Sequence, residues 1–225
     1  MNPYDYTGTS EAFNPTEWTS VMQSMSAGNI PLKLPQAITL EDATDLIRKH
    51  QDNPLNFLFP MRIHDDFHRL GMFGIISVEG ASYLKNKFPN ARFLDPLAGR
   101  GWIAKALREQ GCNVIAGDIE PYLDEPLTDV IQSDGADLVK QYKDEADVLI
   151  LSWPHRFDDV DFNCAKAWGC EKPIICYGEI GRSSFSNEFI EIVRLIEDCD
   201  DFPDMHAQTL RRTKLVICQL NPEHT

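Results

Sequence analysis

From residue 91 onward, short apolar segments alternate with segments of helical pattern, and this alternation is the feature that most constrains the fold. Helices are predicted over 102–110 and 135–143. The predicted strands span 91–95, 112–118, 129–134, 147–152 and 172–178. Strands that alternate with helices in this way predict an α/β doubly wound sheet that is mostly parallel. In such sheets the ligand lies at the carboxyl ends of the strands.

The end of the chain has a different pattern. Residues 187–199 have the spacing of an amphipathic helix, and residues 206–219 are expected to form an antiparallel hairpin that closes the sheet. The predicted fold is therefore a mostly parallel sheet with an antiparallel terminal hairpin.

The first 90 residues are expected to form a helical extension of the domain at 91–225. Asn14 and Pro15 mark a helix start, and that helix should end before Gly28. Two further helices are predicted over 39–50 and 77–88, and residues 52–61, with two prolines, should be extended. Because residues 62–73 lead directly into the sheet domain, they are a candidate lid over its ligand site.

A glycine-rich turn follows the first predicted strand. Residues 93–103 read FLDPLAGRGWI, so that Asp95 ends the strand and Gly99 and Gly101 precede the helix. Glycine has no Cβ and allows backbone to approach a ligand closely. An acid at this position suits a ligand with a positive charge.

This segment resembles the first motif of class I, Rossmann-like, S-adenosylmethionine-dependent methyltransferases. The resemblance extends over about residues 91–219 and implies S-adenosylmethionine as the cofactor. It implies that Asp118, at the end of the second strand, accepts hydrogen bonds from the ribose hydroxyls, and that Asp134 lies against the adenine amino group. The implied cofactor-binding residues are Asp95, Leu97, Ala98, Gly99, Gly101, Asp118, Ile119 and Asp134.

Two alternatives remain for the glycine turn. Residues 99–104 also satisfy the G-x-G-x-x-A pattern of dinucleotide-binding folds. Against that interpretation, residues 95–98 separate the strand from the first glycine, and Asp95 would face an anionic pyrophosphate. The other alternative is that Asp95 only caps the helix, and Asp134 is equally open to interpretation as a helix cap.

A second motif, Ser152-Trp153-Pro154-His155, follows the fourth strand and supplies the candidate catalytic residues. In methyltransferases that act on planar amines, this place holds Asp, Asn or Ser, then usually two prolines, then an aromatic residue. Ser152 and Pro154 match that pattern, whereas Trp153 and His155 depart from it and weaken the case for an amine base. The alternative is that Trp153 packs in the core and Pro154 ends the strand.

Two other clusters are candidates for the site. Tyr177, Glu179 and Arg182 follow the fifth strand and could line a substrate pocket, or Glu179 and Arg182 could pair at the surface. His64 and His68 have a metal-ligand spacing, but no third ligand has a suitable position, so no metal is predicted. A solvated turn or a lid helix is the preferred interpretation of residues 64–68.

Charge and cysteine content restrict the partners. The net charge of −14 opposes non-specific binding of nucleic acid, although residues 211–214 could form a local basic patch or a charged hairpin tip. The six cysteines form no C-x-x-C pair and several lie in apolar runs, which predicts buried, reduced thiols in a cytoplasmic protein. No apolar run is long enough for a transmembrane helix, no secretory signal is evident, and no membrane partner is expected.

The sequence therefore predicts a cytoplasmic methyltransferase that acts on a small molecule or a protein. A methyltransferase-like module that binds without turnover is an alternative of a different class. A nucleic-acid amine methyltransferase is a third, supported by Ser152 and Pro154 and opposed by the net charge. The sequence does not define the methyl acceptor or the oligomeric state.

Overall fold

A computed structural model describes residues 15–34, 66–120, 125–203 and 213–224. Seven strands form one sheet in the order β3-β2-β1-β4-β5-β7-β6. The strands are β1 Arg92–Asp95, β2 Asn113–Asp118, β3 Ile131–Gln132, β4 Val148–Ser152, β5 Ile174–Gly178, β6 Val193–Asp198 and β7 Lys214–Leu220. The helices are α1 Pro15–Ser26, α2 Val78–Lys87, α3 Trp102–Glu109, α4 Gly135–Tyr142, α5 Val160–Trp168 and α6 Asn187–Ile192, and a short 3-10 helix spans Pro222–His224.

The pairing of the strands confirms the predicted fold class. Strands β1 to β5 are parallel to one another, and β7 is antiparallel to both β5 and β6. The register aligns Leu94 of β1 with Leu149 of β4, and Ser152 of β4 with Tyr177 of β5. The result is a mixed α/β sheet with an antiparallel end, as expected.

Alternate side chains of the central strands pack on opposite faces of the sheet. Phe93, Ile150 and Ile175 lie in a core with α1, α2 and α3. Their neighbours Leu94 and Leu149 lie in a second core with α4, α5 and α6. Because both faces are covered, β4, with the sequence VLILS, has the continuous apolar run of a buried parallel strand.

The described part of the first 90 residues packs directly on this sheet. Met22 of α1 and Phe67 are fully buried in the same core as Phe93. Helices α1 and α2 agree with the predicted ones, and Ser77 caps α2 by accepting a hydrogen bond from the backbone amide of Gly80. The predicted helix at 39–50 and extended segment at 52–61 lie outside the described residues.

Of the two interpretations given for residues 64–68, a solvated turn or a lid helix, the solvated turn is wrong where the structure describes the segment. Residues 66–69 are helical, and both Asp66 and Phe67 are fully buried. Phe67 packs in the core against the sheet, which buries this side of the segment. Arg69 lies on the exposed side and forms an ion pair with the buried Asp66 at 3.3 Å. His64 and Asp65 lie outside the described residues.

The helix expected over 187–199 is also wrong in its second half. Helix α6 ends at Ile192, and the chain continues directly as β6. Pairing with β7 (Val193 with Leu220, Arg194 with Gln219) gives these backbone groups partners across the sheet. This pairing overrides the local amphipathic pattern. The first strand of the antiparallel pair is therefore β6, whereas the predicted hairpin began at residue 206.

Helix α5 has no counterpart among the elements predicted from the sequence.

Cysteine placement agrees with the expectation of reduced thiols. All six cysteines are free, and Cys164, Cys176, Cys199 and Cys218 are buried. Within the part of the chain that the structure describes, no helix has both the length and the apolar composition needed to cross a membrane.

A buried hydrogen bond joins β5 to the chain segment that precedes α2. The hydroxyl of Tyr177 donates to the backbone carbonyl of Ile75 at 2.7 Å. Tyr177 is 2% exposed, so that water cannot replace the bond without local opening. This contact fixes the segment at residues 70–75 against the carboxyl ends of the strands.

We expect Tyr177→Phe to lower the free energy of unfolding by about 1–3 kcal/mol, because it leaves the Ile75 carbonyl buried without its partner. Tyr142→Phe, in the half-buried end of α4, is the matched control and should change stability by less than about 0.5 kcal/mol. Urea unfolding of the three proteins measures both values. Equal stability of Tyr177→Phe and the parent protein would contradict this role.

Candidate functional site

The carboxyl ends of the parallel strands meet at one edge of the sheet, where a cavity of about 440 Å³ opens. Asp95 ends β1, Asp118 ends β2 and Ser152 ends β4. All three line the cavity, as does Asp134, which follows β3. The volume is within the range of small-molecule sites, and the position is where doubly wound sheets bind ligands.

The structure brings most of the sequence-predicted site residues together here. Of the predicted cofactor-binding residues, Gly101 does not line the cavity. The others do: Asp95, Leu97, Ala98, Gly99, Asp118, Ile119 and Asp134. The four candidate catalytic residues Ser152, Trp153, Pro154 and His155 line it too.

The two glycines of the turn have different roles. Gly99 has a positive φ of 53°, and a Cβ there would meet only the Gly71 carbonyl, at 4.0 Å. Gly101 has a φ of 85°, and a Cβ there would come within 2.8 Å of Thr128 and 3.0 Å of Val130. Gly99 therefore leaves space at the cavity wall, whereas Gly101 allows close packing beneath the turn.

Asp95 is the most unusual polar group of the site. Its side chain is 1% exposed, and neither carboxylate oxygen makes a hydrogen bond of ordinary geometry to a described residue. Burial raises the pKa of Asp95 to about 7, the nearby Leu97 amide opposes the rise, and the neighbouring Asp118 carboxylate adds to it. A buried carboxylate of this kind is costly unless a cationic ligand joins it.

Asp118 holds the glycine turn in place. One of its oxygens accepts the Gly99 amide at 2.8 Å, and the other accepts the Glu120 amide at 3.1 Å. Burial raises the pKa of Asp118, and these two amides act in the opposite direction. Each carboxylate oxygen keeps a second lone pair that can accept a hydrogen bond from a ligand.

Asp134 caps helix α4. One of its oxygens accepts the Asp137 amide at 3.1 Å, which agrees with the helix-cap interpretation of this residue. Asp134 also lines the cavity, so its role as a cap does not prevent a contact with adenine, and that contact stays a prediction.

The turn after β4 has a strained backbone. Trp153 has a φ of 50°, a conformation rare for a bulky residue, and its amide donates to the Tyr177 carbonyl at 2.8 Å. The Pro154 carbonyl accepts the Phe185 amide at 3.3 Å. Strained backbone that is held by hydrogen bonds to adjacent segments is common at ligand sites. Here the strained turn places residues 152–155 along the cavity wall.

His155 is the exposed end of this turn. Its side chain is 67% exposed, and its Nδ1 lies 3.8 Å from a carboxylate oxygen of Asp158. The ring centroid lies 5.7 Å from that of Phe157. His155 therefore lies at the mouth of the cavity, beside an acid and a second ring.

The three tentative substrate residues, Tyr177 in β5 and Glu179 and Arg182 after it, do not line the described cavity. Tyr177 bonds to Ile75, as described above, and Glu179 is buried and accepts a hydrogen bond from the Ser183 hydroxyl. Arg182 is exposed at the surface. Their contribution to substrate binding stays a prediction.

Residues 71–74 form one wall of the cavity, and none of them is among the site residues predicted from the sequence. The preceding Leu70 carbonyl accepts hydrogen bonds from Trp102 Nε1 at 2.9 Å and Arg100 Nη1 at 3.2 Å. A side chain at Gly74 would collide with Ser152 Oγ, which shows how closely the segment approaches β4. Residues 71–73 lie within the predicted lid region at 62–73 and Gly74 directly follows it, but no motif identified these individual residues.

Further lining residues were also missed. They come from the start of α3, the start of α4 and the end of the turn after β4: Trp102, Ile103, Gly135, Asp158, Asp159 and Val160. Position directly after a predicted motif is the signal that could have found Asp158 and Asp159. Among the described residues, no group of three or more His, Cys, Asp or Glu side chains is arranged to hold a metal ion.

Comparison with known proteins gives matches at the level of solved structures. No protein-family model matches the sequence, and no curated protein sequence is significantly similar to it. A TehB-like S-adenosylmethionine-dependent methyltransferase from Corynebacterium glutamicum matches at 16% identity and a TM-score of 0.43, over 75% of this chain and 100% of that one.

Two other solved structures match similarly. An S-adenosylmethionine-dependent methyltransferase from Archaeoglobus fulgidus has 13% identity and a TM-score of 0.40, over 68% of this chain and 99% of that one. A methyltransferase of calicheamicin biosynthesis, in a form with S-adenosylhomocysteine bound, has 13% identity and a TM-score of 0.43, over 90% of this chain and 68% of that one. All three structures are described as methyltransferases.

The Asp95 carboxyl gives a pH-dependent prediction. An unfolded aspartate ionises near pH 3.8 and the folded Asp95 near pH 7, so the folded state holds the extra proton between these values. The contribution of Asp95 to stability therefore falls as pH rises through this window, by about 1.4 kcal/mol per pH unit. Asp95→Asn cannot ionise, so its stability relative to the parent protein should rise between pH 5 and pH 7.

Unfolding free energies of the two proteins without ligand, measured from pH 5 to pH 8, test this expectation. Asp144→Asn changes an exposed acid and should run parallel to the parent protein. If Asp95→Asn also runs parallel, Asp95 has an ordinary pKa and the argument from its burial is wrong.

Proposed function

We propose that this protein is an S-adenosylmethionine-dependent methyltransferase. The observation that carries the proposal is the buried Asp95 carboxylate, which faces a cavity beside the Gly99 turn and makes no hydrogen bond of ordinary geometry to any described residue. A ligand with a positive charge would supply the missing partner. The cofactor has two such charges, an ammonium on its amino-acid end and the sulfonium.

The residues present fit this cofactor. Asp95 would hold the ammonium, and Asp118 would accept hydrogen bonds from the ribose through lone pairs that its two backbone contacts do not use. Asp134 would lie against the adenine, and Gly99 leaves room for a ligand at the turn. The cavity volume of about 440 Å³ suits a ligand of this size and leaves an open mouth for an acceptor.

The same charges argue against a dinucleotide. A pyrophosphate at the turn would face Asp95 and Asp118, and no lysine or arginine is among the described residues that line the cavity. Two like charges in a partly buried site repel strongly. The arrangement therefore favours a cationic cofactor over an anionic one.

The bound cofactor would supply an activated methyl group on sulfur. The chain's task is then to hold the acceptor in line with that methyl group, because positioning contributes most of the rate in such a reaction. Ser152, Trp153 and His155 lie on the cavity wall next to the cofactor residues and are the groups that would orient the acceptor. We also infer a cytoplasmic location from the six free thiols.

Calorimetry tests the cofactor. We expect the protein to bind S-adenosylmethionine or its demethylated product and not NAD. Asp118→Asn keeps one carbonyl oxygen for the backbone but loses the charge and one acceptor, so Kd should rise at least about tenfold, or about 1.4 kcal/mol. Asp144→Asn is the matched control and should bind normally. An NAD isotherm with none for S-adenosylmethionine would reject the proposal.

Turnover tests the turn after β4. Labelled cofactor and cell extract should give a methylated product, and His155→Ala and Trp153→Phe should each reduce its formation. Cofactor affinity should stay within about threefold, or about 0.65 kcal/mol, because neither side chain belongs to the predicted cofactor set. Unchanged turnover in both variants would make the turn structural. Tight cofactor binding with no product in any extract would favour the non-catalytic binding module.

A further inference from the structure

We propose that the methyl acceptor is an organic amine that is cationic at neutral pH and that Asp158 and Asp159 recognise its charge. The inference rests on the proposed function, because it names the substrate class of the same cavity. It depends on the charge of the cavity wall, on the rings at its mouth and on the free side chain at the start of α5.

Apart from His155, the titratable groups of the described cavity wall are all acids. Five aspartates line the cavity, and His155 is the one nitrogen base among its described lining residues. Three of the five lie with the predicted cofactor residues: Asp95, Asp118 and Asp134. The remaining two, Asp158 and Asp159, lie with His155 beyond Trp153, where the acceptor would enter.

The cations nearest to this wall in the sequence are directed elsewhere. Arg156 donates to the carbonyl oxygens of Gly181 and Arg182 at 2.8 and 2.7 Å, and to the Asn187 side chain at 3.3 Å. Arg100 donates to the Leu70 carbonyl. Neither guanidinium is among the lining residues, so an anionic acceptor would meet only carboxylates and His155.

Asp159 is placed as a helix cap but does not act as one. It precedes α5 in the N-cap position, yet its side chain makes no capping hydrogen bond. Its neighbour Asp158 is 65% exposed and lies 3.8 Å from His155. Both carboxylates therefore keep oxygens that a bound ammonium can reach.

Two phenyl rings line the cavity or the depression outside it, together with these acids. Phe73 lines the cavity, is 39% exposed and lies 4.6 Å, centroid to centroid, from the His68 ring. Phe157 is 86% exposed beside His155. A phenyl ring so exposed lacks a packing role, and a ring face next to a carboxylate is the combination that attracts organic cations.

The cavity continues outward past these residues. A second depression shares Asp158 and Asp159 with it and is bounded by Phe157, Asn187, Glu188 and Arg156, whose guanidinium is hydrogen-bonded to the Gly181 and Arg182 carbonyls. This outer part adds another acid and the exposed ring to the entry path. The same cavity also contains the buried Asp95 carboxylate, whose oxygens have no hydrogen-bond partner of ordinary geometry among the described residues, a second sign that this cavity takes positively charged ligands.

The chemistry is consistent with an amine. The ammonium form is attracted to the wall, and the free base is the nucleophile; Asp158, Asp159 or His155 takes the proton that separates the two forms. The nitrogen lone pair then forms a bond to the methyl carbon, the carbon–sulfur bond breaks, and its electron pair stays on sulfur to give a neutral thioether. The methylated product leaves as an ammonium ion, and the proton held by the aspartate or histidine passes to solvent.

Matched probes separate charge from shape. We would titrate the protein, saturated with S-adenosylhomocysteine, with phenethylamine, phenylpropionate and phenyl phosphate and follow intrinsic tryptophan fluorescence. The amine should bind at least about tenfold more tightly than either anion, and added salt should weaken it. Nα-acetyl-lysine amide, tested in parallel, distinguishes a protein side chain from a free aromatic amine as the source of the charge.

Variants locate the charge recognition. Asp158→Asn with Asp159→Asn should weaken phenethylamine at least about tenfold while S-adenosylhomocysteine affinity stays within about threefold. Glu171→Gln, an exposed acid before β5, is the matched control and should change neither affinity. If the double variant binds the amine normally, or if an anionic probe binds better than the amine, the inference is wrong.

The outcomes distinguish this inference from the proposed function. Failure to bind S-adenosylhomocysteine at all would reject the cofactor and both proposals with it. If the labelled cofactor methylates a phosphorylated compound, a carboxylate or a nucleic acid in the extract, the methyltransferase proposal stands and only the cationic amine acceptor is overturned.

Discussion

The burial of one carboxylate dominates the chemistry of this molecule. Asp95 ends the central strand β1, and its side chain lies in the cavity with almost no exposure to solvent. A parallel sheet covered on both faces leaves its strand ends as the place where polar groups can converge. The fold thus positions an acid that is costly without a ligand, and the turn at Gly99 leaves space for that ligand.

Stability and function oppose each other at this position. The pKa of about 7 means that the ligand-free protein stabilises the neutral carboxyl, whereas a cationic ligand stabilises the ionised one. Asp118 differs, because its two backbone hydrogen bonds make it both a support for the turn and a ligand candidate. The site therefore combines Asp95, whose carboxylate has no hydrogen-bond partner of ordinary geometry among the described residues, with Asp118, whose carboxylate holds the backbone of the glycine turn.

Sequence reasoning predicted the parts that depend on local pattern. The central strands, the helix after the glycine turn and the acids at the ends of β1 and β2 all follow from apolar runs and the residues that end them. It did not predict β6, because the pairing of Val193 with Leu220 is a long-range contact that a helical pattern hides. The loop at 71–74 was likewise hidden, since its place in the site depends on hydrogen bonds from Trp102 and Tyr177 to distant carbonyls.

The attachment of residues 70–75 has a consequence for where the functional unit begins. A chain that started at residue 91 would retain every strand of the sheet and every acid at its edge. It would lose the wall at Gly71 to Gly74 and the partners of Trp102 and Tyr177. It would also lose Met22, Phe67 and the helices α1 and α2, which help to cover one face of the sheet. The smallest portion able to fold and enclose a ligand is therefore larger than the portion that contains the sheet.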